Sequence, residues 1–303
     1  MLNLLKEVVI SEKIRLGKFY TIQNIFNYPH FRKWFNKALQ ESNNLVLEPF
    51  AGSNNLIKML QIKGYNFNFV SYDINPSSPE VKKRNTIKDF PKGYKLTITN
   101  PPYLAKNSAH RKKITGEWGK YDNLYKLCLE KMLFHCQYVA AIVPASFINS
   151  DLFLDRLNSY TLLSSQMFTD TETPTCLVLF SPQKSDFIYL YEKDRYVGEL
   201  YSLKKELTKI LTNSASKSME IRFNDKNGNI GLCAIDNTRA PSIAFIPSWL
   251  VPEKRIKISS RHLTRISVKE EVNLDLLNEI ISSNQRIYWW FSFNSFSWSQ
   301  KRW

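Results

Sequence analysis

The sequence contains few cysteines and histidines, and neither type forms the pattern that a metal site or a disulfide framework requires. Among 303 residues there are four cysteines without a C-x-x-C pair, and the four histidines are scattered. Structural zinc sites need ligands at short, regular spacings, and disulfide-stabilised domains are short and rich in cysteine. We therefore expect no bound metal and no disulfides, and a reduced, cytoplasmic protein.

Long apolar runs and internal repeats are also missing. No stretch approaches the ~20 apolar residues that a membrane-spanning helix needs. Residues 1–18 alternate charged and apolar side chains, as an amphipathic helix does, and lack the order of a signal peptide. We therefore expect no signal peptide and no membrane association.

Acidic residues are scarce relative to basic ones. The chain has 42 Lys and Arg against 27 Asp and Glu, a formal charge of +15, while 43% of its residues are apolar. Such a composition is typical of a globular protein with a polyanionic partner, nucleic acid before a membrane surface. A generic solubilising surface is the alternative explanation of the charge.

Short apolar runs alternate with helical patterns between residues 44 and 180. The runs that predict strands are 44–47, 67–72, 95–99, 138–144 and 176–180, and the segments that predict helices are 55–64, 123–136 and 150–160. This alternation predicts an α/β fold with a doubly wound, mostly parallel sheet. After residue 181 the rhythm is lost, so we place a domain boundary between residues 183 and 184.

Polar residues follow three of these runs, namely Glu48, Asp73 and Asn100, and Asp89 follows a further short element between the second and third runs. In doubly wound sheets the ligand lies at the carboxyl ends of the strands. Gly52 allows a sharp backbone turn after the first strand. The G-x-G-x-x-G fingerprint is absent, which disfavours a pyrophosphate cradle and a nicotinamide cofactor.

The same strand ends match the parts of one particular ligand. Glu48 suits a cationic group, and Asp73 lies where an acidic residue accepts hydrogen bonds from ribose hydroxyls. Asp89 and Phe90 offer an acceptor and an aromatic face to a purine. Together these preferences indicate S-adenosylmethionine.

Four segments resemble motifs of the amino-methyltransferases that modify DNA bases. The segments LEPFAGSN (47–54), VSYDINP (70–76), KDF (88–90) and NPPY (100–103) resemble motifs I to IV, the last being the signature of adenine methylases. GKFYT (17–21) is similar to a motif that precedes them in some members. The resemblance covers roughly residues 16–180, and Asn54 departs from it where many members carry a second glycine.

The resemblance implies a seven-stranded, Rossmann-like methyltransferase sheet in residues 1–183 and a smaller, mixed domain for target DNA recognition in residues 184–303. It implies S-adenosylmethionine as cofactor and the N6 amine of a flipped-out adenine in double-stranded DNA as substrate. The cofactor-binding residues that it implies are Lys18, Phe19, Tyr20, Thr21, Glu48, Pro49, Phe50, Ala51, Gly52, Asn54, Asp73, Ile74, Asp89, Phe90 and Asn100.

The catalytic residues that it implies are Asn100, Pro101, Pro102 and Tyr103. An exocyclic amine is a poor nucleophile because its lone pair is delocalised into the ring. Two acceptors, the Asn100 side-chain oxygen and the Pro101 carbonyl, would hold the amine hydrogens while the prolines fix the backbone. Tyr103 would stack on the extruded base.

Basic residues in two segments are the candidates for DNA contact. One segment is a basic loop over residues 106–120, predicted to be a mobile flap, and the other lies between residues 254 and 265. The candidates are Arg111, Lys112, Lys113, Lys254, Arg255, Lys257, Arg261 and Arg265.

The family resemblance also implies a restriction endonuclease as functional partner, and we expect a monomer. Three alternatives stay open. The same NPPY chemistry serves methyltransferases of RNA bases and of protein glutamine, a cytosine amine is a possible substrate, and a catalytically silent DNA-binding protein can retain this fold.

Overall fold

A computed structural model provides the structure of residues 25–111, 113–114, 116–163, 174–212, 220–234, 243–256 and 263–280. The chain divides into two compact units, Met1–Tyr201 and Ser202–Trp303. The predicted amphipathic helix at residues 1–18 lies outside the described residues.

The first unit contains a nine-stranded sheet with helices in its connections. Its strands are β1 (Leu45–Glu48), β2 (Asn68–Asp73), β3 (Val81–Lys83), β4 (Leu96–Thr99), β5 (Tyr138–Pro144), β6 (Leu157–Leu162), β7 (Thr175–Phe180), β8 (Tyr189–Glu192) and β9 (Arg195–Glu199). Its helices in chain order are α1 (Pro29–Glu41), α2 (Asn55–Ile62), α3 (Lys106–Arg111) and α4 (Leu124–His135). A further helix, α5 (Leu200–Thr212), begins at the last two residues of this unit and continues in the second.

The strand order is β3-β2-β1-β4-β5-β7-β6-β8-β9. The neighbours from β3 to β5 are all parallel, as are β6 and β8, whereas β7 is antiparallel to both β5 and β6. The prediction of an α/β fold with a mostly parallel sheet is confirmed. The order reverses between β1 and β4, so the carboxyl ends of these two strands lie side by side.

The sheet holds nine strands rather than the predicted seven. The two additional strands are β8, which pairs in parallel with β6, and β9, which pairs antiparallel with β8. Both follow residue 184, so the sheet of the first unit continues beyond the predicted domain boundary. The assignment of residues 184–303 to target recognition stays a prediction.

The predicted helix at residues 150–160 is wrong. Asp151 and Phe153 have positive φ angles of 51° and 58°, which a helix does not accept. The segment instead turns into β6, whose residues lie between β7 and β8. Short apolar runs such as this one do not distinguish a buried helix from a buried strand.

Helix α1 covers one side of the sheet because its apolar residues recur with the period of a helix. Phe31, Phe35 and Ala38 are fully buried, and Trp34 and Leu39 nearly so. This spacing places all five on one helical face. The Trp34 indole N–H donates a 3.1 Å hydrogen bond to the Ser181 hydroxyl, which fixes the helix beside the end of β7.

The second unit has its own four-stranded antiparallel sheet in the order β10-β13-β11-β12. The strands are β10 (Ile221–Phe223), β11 (Ile230–Ala234), β12 (Ile243–Pro247) and β13 (Leu263–Val268). Its small core includes Ile230, Ile266 and Val268, and residues 274–280 are helical.

Candidate functional site

The candidate site lies at the carboxyl ends of β1 and β4, where the strand order reverses. Val46 and Leu47 pair with Leu96 and Thr97, so the two strands end together. Glu48 is the last residue of β1, and the NPPY turn (residues 100–103) directly follows β4. The sequence predicts both features, and the sheet topology makes them neighbours.

Glu48 is a buried carboxylate with one oxygen bound and one oxygen unbound. The side chain is 1% exposed. Its Oε1 accepts hydrogen bonds from the Thr99 hydroxyl and, at 3.3 Å, from the backbone N–H of Phe50. Its Oε2 has no hydrogen-bond partner among the residues that the structure describes.

The pKa of Glu48 is raised to about 8. Burial is the main cause, and the charge of Asp73 adds to it, whereas the hydrogen bonds from Thr99 and Phe50 N–H act in the opposite direction. A buried anion without a counter-charge is costly, and a cation beside Oε2 would remove that cost. The site therefore favours a ligand with a positive group.

The loop after β1 is held against the end of β2 by backbone hydrogen bonds. The Ala51 N–H donates to the Tyr72 carbonyl at 2.9 Å, and Gly52 adopts a positive φ of 54°. The Gly52 N–H donates to Asp73 Oδ2 at 2.9 Å, and the Asn75 N–H donates to Oδ1 at 2.8 Å. Asp73 thus positions the loop at the carboxyl end of β2.

Asn54 accounts for the departure from a second glycine. Its φ of 66° and ψ of 27° lie in the left-handed region, and α2 begins at the next residue. Asparagine tolerates this conformation better than other residues with a side chain. Its buried amide accepts a 2.7 Å hydrogen bond from the Ser71 hydroxyl and donates one of 3.4 Å to Glu80.

The residues predicted to contact a purine lie in differing environments. Asp89 is exposed and forms a 2.7 Å ion pair with Arg84. Phe90 is 5% exposed, and its ring stacks on His135 with centroids 5.1 Å apart. Ile74, just after β2, is 55% exposed. The purine contacts of Asp89 and Phe90 stay predictions, with one face of the Phe90 ring already covered. The cofactor contact of Ile74 also stays a prediction.

In the NPPY turn, the Tyr103 hydroxyl oxygen lies 2.6 Å from Asn100 Oδ1 and 2.7 Å from the carbonyl oxygen of Ile142 in β5. The Tyr103 ring packs edge-on against Tyr125, with centroids 6.1 Å apart. Burial is the main reason that the pKa of Tyr103 lies well above its ordinary value. Pro101 is buried, and Pro102 is partly exposed.

The segment predicted to be a mobile flap is anchored at its base. Its first part forms α3, and Ala105 and Asn123 form an antiparallel bridge. Trp118 is buried against Leu104 and Ala109, and its indole N–H donates to the Leu104 carbonyl at 2.9 Å.

The candidates for DNA contact divide into exposed side chains, one internally bonded side chain and residues that the structure does not describe. Arg111, Lys113 and Lys254 are exposed. The guanidinium of Arg265 instead donates hydrogen bonds to the backbone carbonyls of Val251 and Lys226. Arg265, predicted to contact DNA, therefore also has a structural role that competes with such a contact. The strand β13 carries its side chain toward those two carbonyls.

Several predicted residues cannot be placed in the site. Those outside the described residues are Lys18, Phe19, Tyr20, Thr21, Lys112, Lys257 and Arg261. The backbone of Arg255 belongs to a short 3-10 turn, Glu253–Arg255.

Two contributors to the site were not predicted from the sequence. Thr99 hydrogen-bonds Glu48, and the carbonyl of Ile142 contacts Tyr103. Thr99 precedes Asn100, so the adjacency of β1 and β4 would have indicated it. A backbone carbonyl leaves no signal in the sequence.

Within the described ranges, no group of three or more His, Cys, Asp or Glu residues is arranged to hold a metal ion. Every helix in that part of the chain is too short or too polar to cross a bilayer.

No protein-family model and no curated protein matches the chain. Among solved structures, it is similar to a type I restriction-modification methyltransferase subunit from Streptococcus thermophilus, with 15% identity, a TM-score of 0.43 and coverage of 66% of this chain and 54% of that one. The chain thus spans about half the length of that protein.

Two further solved structures are similar at the same level. One, from Listeria monocytogenes, is assigned as a class I S-adenosylmethionine-dependent methyltransferase, with 14% identity, a TM-score of 0.42 and coverage of 68% and 76%. The other, from Vibrio vulnificus, is assigned as a modification subunit of a type I restriction enzyme, with 12% identity, a TM-score of 0.42 and coverage of 91% and 65%. All three TM-scores lie below 0.5.

Proposed function

We propose that the protein is a site-specific DNA methyltransferase that uses S-adenosylmethionine and modifies the N6 amine of a flipped-out adenine. One observation carries the proposal. A buried glutamate with an unbound oxygen ends β1, and Thr99 links it directly to the strand that carries the NPPY turn. A site for a cation and a site for an exocyclic amine are therefore adjacent.

The residues present fit S-adenosylmethionine. Glu48 would hold its ammonium group, because Oε2 is buried and lacks a partner in the described chain. Asp73, tied to the Gly52 N–H, would accept its ribose hydroxyls, and Asp89 and Phe90 would contact its purine. When bound, this cofactor supplies an electrophilic methyl group.

The NPPY turn then has to make the amine a better nucleophile. The Asn100 side-chain oxygen and the Pro101 carbonyl would accept its two hydrogens, which returns electron density to the nitrogen. No strong base is required, because a methylated ammonium loses its proton readily. Transfer in this arrangement depends mainly on proximity and orientation.

The charge of +15 supports double-stranded DNA as the substrate, since phosphate contacts dominate such binding. We further propose that residues 184–303 recognise the target sequence, and that Arg111, Lys113 and Lys254, all exposed, contact its backbone. A cytoplasmic monomer that protects host DNA from a cognate restriction endonuclease completes the proposal.

Incubation with labelled S-adenosylmethionine and mixed-sequence DNA, followed by nucleoside analysis, tests this function. Label in N6-methyl-2′-deoxyadenosine supports it. Label in the cytosine amine would correct the target base, and label only in RNA or in a protein glutamine would refute the DNA substrate. DNA binding without any transfer would favour a silent binding protein.

A variant pair tests the role of Asn100. Asn100→Ala should lower the transfer rate by about 100-fold or more and leave the dissociation constant of the cofactor largely unchanged. The matched control is Asn107→Ala, an exposed position in α3, which should keep full activity. An active Asn100→Ala variant would contradict the mechanism.

A further inference from the structure

The Tyr103 hydroxyl lies close to two oxygen atoms that are both hydrogen-bond acceptors. Its oxygen lies 2.6 Å from Asn100 Oδ1 and 2.7 Å from the Ile142 carbonyl oxygen. Both neighbours are hydrogen-bond acceptors, and a tyrosine hydroxyl has a single hydrogen to donate. At these distances one of the two oxygen pairs would meet without a hydrogen between them.

Only one of the two neighbours can present a hydrogen-bond donor in place of an acceptor. The Ile142 carbonyl belongs to the backbone of β5 and is always an acceptor. The side-chain amide of Asn100 has an oxygen and a nitrogen of nearly equal size, and its orientation follows from the hydrogen bonds that it makes. Rotating this amide by a half-turn places Nδ2, a donor, beside the Tyr103 hydroxyl oxygen.

The rotated amide turns both contacts into hydrogen bonds. Tyr103 donates its hydrogen to the Ile142 carbonyl, and Asn100 Nδ2 donates to the hydroxyl oxygen. The cost of leaving a buried oxygen pair without a hydrogen between the two atoms is then avoided. Asn100 Oδ1 faces away from Tyr103 in this arrangement.

The Tyr103 side chain is held in place by its neighbours, so its hydroxyl can determine the orientation of the Asn100 amide. Its ring packs against the core and edge-on against Tyr125. Ile142 is 1% exposed and lies within the ladders that join β5 to β7. Burial also keeps the hydroxyl protonated, because it raises the pKa of Tyr103.

We propose that Tyr103 is a positioning residue whose hydroxyl, by donating to the Ile142 carbonyl, orients the Asn100 amide with its oxygen turned toward the substrate. This role is additional to stacking of the Tyr103 ring on a base. It rests on the proposed function only where Oδ1 is assigned to accept an amine hydrogen. The orientation of the amide itself depends on the hydrogen bonds alone.

Neutron diffraction of the deuterium-exchanged protein tests the orientation without any assay of activity. We expect a deuterium between the Tyr103 oxygen and the Ile142 carbonyl, and the Asn100 ND₂ group directed at the Tyr103 oxygen. A deuterium from Tyr103 pointing at Asn100 Oδ1 would overturn the proposal. Either outcome is informative even if the protein transfers no methyl group.

Kinetics of Tyr103→Phe test the functional consequence, since this change removes the hydroxyl and keeps the ring. We expect kcat to fall by about 10- to 100-fold, as for misoriented catalytic groups, with the KM for DNA and the cofactor dissociation constant nearly unchanged. Tyr125→Phe is the matched control, because it removes a buried hydroxyl from the ring that contacts Tyr103, and it should keep kcat.

A Tyr103→Phe variant with the kcat of the wild type would show that the hydroxyl has no positioning role. A rise in the KM for DNA with kcat unchanged would also overturn the proposal, because it would indicate that the hydroxyl acts in DNA binding and not in orienting Asn100. A wild-type protein without transfer activity would refute the proposed function, while the neutron result would still decide the orientation.

Discussion

Replacing Glu48 by glutamine is expected to change how the stability of the sheet depends on pH. Burial raises the pKa of Glu48 from its ordinary value of 4.5 to about 8. Between these values the native chain holds a proton on Glu48 that the unfolded chain has released. The free energy of unfolding of the wild type therefore falls as pH rises, whereas glutamine has no proton to lose.

The size of the effect follows from the width of this window. Each pH unit within it removes about 1.4 kcal/mol of stability. The contribution is complete below pH 4.5 and is lost above about pH 8, which amounts to about 5 kcal/mol overall and about 3 kcal/mol by pH 7. These amounts are a large share of the ~5–15 kcal/mol by which proteins are stable.

Hydrogen exchange of the full chain, measured by mass spectrometry on peptides that cover β1 and β4, reports the effect locally. The wild type and Glu48→Gln are compared at each pH from about 5 to about 9, so intrinsic exchange rates cancel. We expect the ratio of their opening equilibria to change about tenfold per pH unit up to about pH 8. A ratio that stays constant across this range would refute the reasoning.

Thr99→Val provides a check on the cause of the shift. The Thr99 hydrogen bond lowers the pKa of Glu48, so its removal should move the upper end of the window to higher pH. A ligand ammonium beside Oε2 should have the opposite effect, because a positive charge favours the carboxylate. Binding of S-adenosylmethionine near pH 7 should thus release a proton, which calorimetry in buffers of different ionisation enthalpy would detect.

Further predictions concern backbone conformation, carbonyl bonding and a half-buried histidine. Asn54→Ala should cost about 1–3 kcal/mol in urea unfolding through the left-handed backbone and lost amide bonds, and Asn54→Gly should cost less because glycine accepts a φ of 66°. Arg156 donates to four backbone carbonyls, so Arg156→Lys should cost about 2–3 kcal/mol, and an unchanged unfolding midpoint would contradict this role. Burial lowers the pKa of His30 to about 4, so the wild type should lose stability relative to His30→Gln as pH falls from 6.5 toward 4. A difference in melting temperature between the two proteins that stays constant over this pH range would contradict the prediction.

The central part of the sheet was predictable because its strands are buried on both faces. β5 agrees with the predicted run at residues 138–144, since a strand covered on both sides is uniformly apolar. Glu48 and Asn100 were predictable as neighbours because both follow such runs. These features depend on local pattern and on the general topology of parallel sheets.

The remainder depends on contacts that no local pattern encodes. The apolar run after Asp151 fits a helix or a strand equally well, and the positive φ angles decide between them only in the folded chain. A basic side chain such as Arg265 gives no sign in the sequence of whether it faces DNA or a backbone carbonyl. The direction of the Asn100 amide likewise depends on a tyrosine and on a carbonyl from another strand.

The short strand β3 has a consequence for how copies of this protein meet. It stands at one end of the strand order, and its residues Lys82 and Lys83 are exposed. An edge strand offers unpaired backbone groups that invite pairing with another chain. A second copy approaching this edge would bring like charges together within a few ångströms, at strand spacings of about 4.8 Å. These lysines therefore oppose growth of the sheet from molecule to molecule.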